Sequence, residues 1–195
     1  WSEALMRIDE ASSVRWNCLT WHDDPVFGRI PLIQAETTKT DPDDQGLWIT
    51  SPSVELVIKT LQSIAKMRLS CVGLWSEESN PALITAALEP WGRSRLSSRQ
   101  AGVKPSIGCF GNVLRDYPML FDLAELTITV DDIKIAKAVC PSLNAEQFQV
   151  GKPWPLAWHQ FRRTGAVNMF ASGAISDSSM QLQMKHLTRW QPLYY

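Results

Sequence analysis

Residues 14–51, VRWNCLTWHDDPVFGRIPLIQAETTKTDPDDQGLWITS, decide the fold class predicted for this chain. Three short runs in this stretch are rich in β-branched and aromatic residues: VRWNCLTW, GRIPLIQAE and LWITS. The segments between them, HDDPVFG and TKTDPDDQG, are clusters of Asp, Pro and Gly, which favour turns. The stretch therefore predicts three consecutive strands in an antiparallel meander.

The rest of the chain is dominated by helical patterns. Apolar residues recur three or four positions apart, and Ser, Thr, Asp or Pro stand at several of the predicted helix starts. Helices are accordingly predicted at residues 2–14, 54–67, 80–88, 129–139, 156–173 and 176–187. Together the patterns predict an α+β fold, a mostly helical domain with a small three-stranded antiparallel sheet near the N-terminus.

Composition places the chain among ordinary globular proteins. It has 195 residues, of which 45% are hydrophobic and 20% charged, and its formal net charge is −1. A near-neutral chain does not resemble a generic nucleic-acid binder. The charge is nevertheless segregated, because residues 1–50 hold four basic and nine acidic side chains, whereas residues 151–195 hold five basic and one acidic. Local binding of a phosphate group is therefore compatible with the charge pattern.

Several classes of protein and of site are disfavoured. No apolar run reaches the roughly 20 residues of a membrane span, and the charged, amphipathic start differs from a signal peptide. Four scattered cysteines and three histidines give no zinc-binding spacing. We therefore expect a cytoplasmic protein with reduced thiols and with no cofactor, metal or membrane partner. The first residue is Trp rather than Met, which suggests a fragment of a longer protein.

Two pairs of polar side chains stand at spacings that invite a functional interpretation. In RIDEASSVRW, Arg7 and Glu10 lie one helical turn apart. His159 and Arg162 lie three residues apart on a predicted helix, so they share a face, and the adjacent Arg163 could take the place of Arg162. Taken singly, each motif has an ordinary explanation as a surface ion pair or a common H-x-x-R.

In order and local spacing, the motifs resemble the catalytic domain of the tyrosine recombinases, the phage integrase family, and especially the integrases of mobile elements. The family pattern begins with R-x-x-E-(x)3-L-x-W and a lysine in a β-hairpin. It continues with H-x-x-R, L-G-H and a tyrosine about nine residues after the last histidine. In this chain Tyr195 follows His186 at that spacing. The matching residues are Arg7, Glu10, Val14, Trp16, Lys39, His159, Arg162, His186 and Tyr195. The chain departs from the pattern where Val14, Phe161 and Lys185 replace Leu, Leu and Gly.

The resemblance covers residues 1–72 and about 129–195. It implies a single catalytic domain over residues 1–195 with the tyrosine recombinase, or DNA breaking and rejoining, fold. Residues 73–128 are left as a poorly matched insertion, and the family's N-terminal DNA-clamping domain is not part of this chain.

The resemblance also implies a phosphate-binding site. Arg7 and Arg162 are expected to hold the non-bridging oxygens of a DNA phosphate, with Glu10 in a supporting role. Guanidinium groups suit these oxygens because their donors are planar, forked and permanently charged. Their charge would stabilise the additional negative charge that develops on the oxygens in the transition state.

The remaining implied roles concern nucleophilic attack and proton transfer. Tyr195 is expected to attack the phosphorus and form a 3′-phosphotyrosine link. It is preferred to Tyr194 because it has the family spacing, and neighbours on a helix point about 100° apart. Lys39 is expected to protonate the departing 5′ oxygen, and His159 to accept the tyrosine proton or orient the phosphate. His186 is expected to form a hydrogen bond to a non-bridging oxygen.

The implied activity is site-specific recombination that integrates or excises a mobile element on double-stranded DNA. We expect a homotetramer on DNA for the full-length protein, a monomer for this chain, and association with the nucleoid if the host is bacterial. Further candidate DNA-backbone contacts are Arg93, Arg95, Arg99, Lys104, Arg163, Lys185 and Arg189. Three alternatives stay open: a catalytically silent DNA-binding relic of the fold, a type IB topoisomerase, and a helical interaction domain whose motifs are coincidental.

Overall fold

The computed structural model of the protein describes residues 3–37, 46–85, 105 and 107–186. The chain divides into two compact units, one formed by Trp1–Ile107 and Phe161–Tyr195 and the other by Gly108–Gln160. The described residues contain six α-helices and one three-stranded antiparallel sheet. The predicted α+β class with a small sheet near the N-terminus is therefore confirmed.

The sheet belongs to the first unit and is a meander. Its strands are β1 (Leu19–Asp24), β2 (Gly28–Ala35) and β3 (Gly46–Ile49), and β2 pairs with both neighbours in antiparallel orientation. The first strand starts later than the predicted start at Val14 and continues through Asp24. The later end has a local cause, because the Asp24 carboxylate accepts hydrogen bonds from two amides of the following turn and so confines the turn to the residues after it.

The core of the first unit lies between this sheet and helix α2 (Val54–Cys71). Trp48 on β3 is fully buried, and α2 buries Val54, Ile58, Ala65 and Leu69 along one face. Burial of one such apolar side chain stabilises the fold by about 1.5–3 kcal/mol. The helix extends four residues beyond its predicted end at residue 67 because its last turn still carries this buried face.

The N-terminal helix is much shorter than the predicted helix at residues 2–14. Helix α1 spans only Ile8–Ser12. Leu5 has a φ of +54°, a left-handed conformation that a right-handed helix cannot contain, and the Arg7 backbone is extended. The preceding residues Ala4 to Met6 are fully or almost fully buried. Packing of this segment into the core has therefore overridden its helical pattern.

The predicted helix at residues 80–88 is wrong over its described part, residues 80–85. This segment instead runs antiparallel to residues 14–16 and forms an isolated bridge between Ala82 and Arg15. Pairing with a distant segment satisfies backbone groups that a helix would have paired locally.

Helices α5 (Trp158–Ala171) and α6 (Asp177–Gln183) lie at or near their predicted positions. The Ser176 hydroxyl accepts a hydrogen bond from the amide of Ser179 and caps α6, as the sequence predicts. Residues from the N-terminal segment, from these two helices and from the position after α6 form a second core cluster: Leu5, Ala166, Met180 and Met184.

The second unit contains α3 (Phe110–Asp116), a short 3₁₀ helix (Pro118–Leu120) and α4 (Val130–Val139). The predicted helix at 129–139 is confirmed, and so is its cap. Thr129 and Asp132 exchange side-chain and backbone hydrogen bonds in a capping box. Among the described helices, none combines the length and the apolar character that a membrane span needs.

Candidate active site

Arg7 and Glu10 form an ion pair at the start of α1. The Arg7 guanidinium donates to Glu10 Oε1 at 2.7 Å, and the Arg7 backbone N–H donates to Glu10 Oε2 at 2.6 Å. The Glu10 side chain is fully buried, whereas 19% of the Arg7 side chain is exposed. The pair is therefore not the solvated surface pair that the spacing alone would suggest.

Arg162 reaches the same carboxylate from α5. Its Nη1 lies 3.5 Å from Glu10 Oε2, and its Nη2 donates to the carbonyl of Met184 at 2.7 Å. Only 1% of the Arg162 side chain is exposed. A buried guanidinium is tolerated only where a negative charge and hydrogen-bond acceptors compensate for its lost hydration. Two arginines from opposite ends of the sequence thus meet at one carboxylate.

The end of α6 brings His186 to this cluster. The N–H of His186 donates to the carbonyl of Gln181 at 3.0 Å, and the N–H of Lys185 donates to that of Leu182 at 3.2 Å. This pair of bonds is a Schellman motif, in which the residue after the helix adopts a left-handed conformation. Lys185 has a φ of +54°. The recombinase pattern has glycine here, the residue that adopts this conformation without strain.

The Lys185 ammonium is engaged within the protein. It donates to the Leu47 carbonyl and lies 5.0 Å from the centre of the Trp48 ring. Burial lowers the pKa of Lys185, and the negative charge of Glu10 opposes this effect. In this conformation the side chain ties the end of α6 to β3, rather than pointing outward as an expected contact to the DNA backbone would.

The environment of His186 favours a neutral imidazole. Burial, and then the positive charges of Arg162 and Arg7, lower the pKa of His186 to about 4. Both guanidinium groups therefore lie close enough to influence its proton equilibrium. A neutral imidazole near pH 7 can donate one hydrogen bond without adding charge to the cluster.

His159 and Arg163 also lie on α5. His159 is exposed, stands in the first turn of the helix and belongs to the second unit, whereas the buried Arg162 belongs to the first. Arg163 is exposed. Of the two adjacent arginines, Arg162 is thus the one that joins the cluster with Glu10.

The other expected site residues lie outside the described part of the chain. Among them are the expected general acid Lys39 and the two candidate nucleophiles, Tyr194 and Tyr195. The same holds for most of the basic residues expected at the DNA backbone: Arg93, Arg95, Arg99, Lys104 and Arg189.

Gln183 makes contacts next to the candidate site that the sequence did not indicate. Its side-chain amide donates to the carbonyls of Ala4 and Ile49 and accepts a hydrogen bond from the Ile49 amide. Glutamine in an amphipathic helix usually lies on the solvated face, so neither its identity nor its spacing signals such contacts.

No cluster of His, Cys, Asp and Glu suited to a metal ion occurs among the described side chains. The group that the structure does assemble is cationic, with two guanidinium groups, one carboxylate and one neutral imidazole. No protein-family model, curated protein or solved structure matched the chain.

Proposed function

We propose that this chain is the catalytic domain of a tyrosine-type site-specific DNA recombinase. It would cleave and rejoin DNA strands through a 3′-phosphotyrosine intermediate, and so integrate or excise a mobile element. One observation carries the proposal. Arg7 and Arg162 both contact the Glu10 carboxylate, with His186 beside them.

The charge of this cluster suits a phosphodiester. The two guanidinium charges exceed the single carboxylate charge of Glu10, and the low pKa of His186 leaves its imidazole neutral near pH 7. The excess positive charge would attract the singly charged phosphodiester. It would act more strongly on the transition state, in which the non-bridging oxygens carry more negative charge.

The chemistry proposed for the chain needs a nucleophile and a proton donor besides the cluster. The Tyr195 oxygen would form a bond to phosphorus, and the bond from phosphorus to the 5′ oxygen would break. The resemblance assigns His159 to accept the tyrosine proton or to orient the phosphate, and Lys39 to give a proton to the departing 5′ oxygen. The phosphotyrosine link retains the energy of the broken phosphodiester bond. A 5′ hydroxyl of another strand would therefore be able to attack it and reverse these steps.

The burial of Arg162 sets a condition on this mechanism. Arg7 is the more accessible of the two guanidinium groups, and Arg162 is almost fully covered. Direct contact between Arg162 and a phosphate therefore requires that the residues covering the Arg162 side chain move when DNA binds. Before DNA binds, the Glu10 carboxylate would hold the Arg162 guanidinium in position.

The proposal is tested with a nicked suicide DNA substrate, on which cleavage releases a short strand and traps the covalent adduct. We expect an adduct with the unmodified chain, its loss in Tyr195→Phe, and its retention in Tyr194→Phe. Binding of DNA with no adduct would instead favour the silent relic. Strand exchange between two duplexes by the full-length protein would separate a recombinase from a type IB topoisomerase, which relaxes supercoils only.

A further inference from the structure

Gln183, the last residue of α6, connects three segments of the first unit. Its Nε2 donates to the Ala4 carbonyl at 2.9 Å and to the Ile49 carbonyl at 2.7 Å, while its Oε1 accepts from the Ile49 amide at 3.2 Å. The amide thus pairs with both backbone groups of Ile49, much as a neighbouring strand would. These bonds use both N–H groups of the Gln183 side-chain amide and one of the two lone pairs on Oε1.

Two of the connected segments, the one at Ala4 and the end of α6, lead directly to members of the candidate active site. Ala4 lies three residues before Arg7, at the buried turn that precedes α1. The residue after Gln183 is Met184, whose carbonyl accepts a hydrogen bond from Arg162. His186 follows two positions later, after the left-handed Lys185.

We propose that Gln183 is a positioning residue, whose amide holds these segments together and thereby fixes the separation of the two guanidinium groups and the His186 imidazole. Gln183 is not expected to touch DNA itself. The expected effect on DNA cleavage rests on the proposed function. The positions of the two guanidinium groups and the imidazole can be tested in the protein without DNA.

A small displacement at such a site has a large kinetic effect. Misplacement of a catalytic group by about 1 Å can slow a reaction by about 10²-fold. A glutamine side chain has three rotatable bonds, and three hydrogen bonds to distant backbone groups restrict them together. Loss of these bonds would free the end of α6 to shift relative to Ala4 and β3.

The test compares Gln183→Met, which keeps the length of the side chain and removes its hydrogen-bonding groups, with Leu182→Ala. Leu182 precedes Gln183 on α6 and is 70% exposed, and Leu182→Ala keeps the backbone carbonyl that accepts from Lys185, so it controls for a change in the helix. The first readout is the NMR titration of the His186 ring in the protein without DNA. The resonance is assigned by its disappearance in His186→Asn.

We expect His186 to titrate near pH 4 in the unmodified chain and in Leu182→Ala, and about one unit or more higher in Gln183→Met. The rise is expected because the imidazole becomes more exposed to water and moves away from Arg162 and Arg7. The second readout is single-turnover cleavage of suicide DNA at saturating protein. Its rate constant should fall about 10²-fold in Gln183→Met, with an unchanged dissociation constant for DNA.

An unchanged His186 titration in a folded Gln183→Met protein would overturn the inference, even if the melting temperature fell. If Gln183→Met does not fold, Gln183→Asn serves instead, because it keeps an uncharged amide that is one methylene too short to make the three hydrogen bonds together. The same rise in the His186 titration is required of it. If the unmodified chain forms no adduct on any DNA, the proposed function fails, while the titration still decides the role of Gln183.

Discussion

At the scale of single residues, Glu10 determines the electrostatics of the candidate site. Its buried carboxylate contacts the guanidinium groups of both Arg7 and Arg162. Without it, two positive charges would face each other with no compensating negative charge, and Arg162 would be buried with one fewer ion-pair partner. We regard Glu10 as a residue that holds the arginines ready, since its buried carboxylate contacts both guanidinium groups.

Replacement of Glu10 should therefore be strongly destabilising. Glu10→Gln keeps the shape of the side chain and removes its charge, which should lower the free energy of unfolding by about 3 kcal/mol. Chemical denaturation measures the change. Glu55→Gln is the matched control, because Glu55 forms an exposed i,i+4 pair with Lys59 and should tolerate the change with little effect. Equal effects of the two substitutions would contradict the role assigned to Glu10.

His186 should make the stability of the protein depend on pH. Its pKa falls from an ordinary 6.5 to about 4 on folding, so between these values the unfolded chain binds more protons than the folded one. The contribution of His186 to the free energy of unfolding should be fully present above pH 6.5. It should be lost as the pH falls towards 4, which lowers the free energy of unfolding by about 1 kcal/mol after allowance for the partial exposure of the ring. The decline should be smaller in His186→Asn when both proteins are unfolded by urea across this range. An identical profile in the two proteins would disprove the assignment.

At the scale of elements, the end of α6 connects the sheet to the arginine cluster. Lys185 adopts the left-handed conformation of a Schellman motif, and its ammonium contacts Leu47 and the face of Trp48 on β3. These contacts offset part of the strain of a non-glycine residue with positive φ.

Two substitutions of Lys185 separate the strain from the contacts. Lys185→Ala loses the ammonium contacts and keeps the strained backbone, whereas Lys185→Gly loses the same contacts and relieves the strain. We expect the alanine variant to be less stable than the glycine variant by about 1 kcal/mol in thermal or chemical unfolding. A glycine variant that is no more stable than the alanine variant would argue against the left-handed conformation.

The sequence predicted those elements whose signals are local. Helix α4 has its cap at Thr129 and its apolar pattern within one short segment, so both were predictable. The helix predicted over residues 2–14 was too long, because burial of Ala4, Leu5 and Met6 depends on residues far along the chain. The helix predicted at 80–85 was wrong for the same reason.

The candidate site was only partly accessible to sequence reasoning. The identities of Arg7, Glu10, Arg162 and His186 followed from the motifs, but no local pattern shows that side chains from both ends of the chain meet at one carboxylate. Gln183 was missed because its role consists of contacts with Ala4 and Ile49, which are remote in sequence.

At the scale of the whole molecule, the first unit joins residues near the start of the sequence and residues 161–186 into one folded body. Residues near the N-terminus share a core with the sheet and α2, and Leu5 packs with α5 and α6. The candidate site therefore depends on the integrity of this unit as a whole. Its unfolding should remove the site completely rather than loosen one residue at a time.

The thiols of the protein report on this integrity. Cys18 is buried in the first unit, and burial raises its pKa to about 11, whereas Cys71, Cys109 and Cys140 are exposed. An alkylating reagent near pH 8 should label the three exposed thiols readily and Cys18 only when the first unit unfolds. Mass spectrometry of the labelled peptides across a urea series measures this. Fast labelling of Cys18 in native conditions would contradict the described core.

The central claim is that Arg7 and Arg162 act on the same phosphate, and the single-turnover rate constant for covalent adduct formation on nicked DNA tests it most directly. We predict that Arg7→Ala and Arg162→Ala each lower this rate constant by about 10²–10³-fold. Arg115→Ala, which changes an arginine paired with Asp116 on the surface of the second unit, should react like the unmodified chain. An undiminished rate constant in a folded variant of either Arg7 or Arg162 would contradict the account.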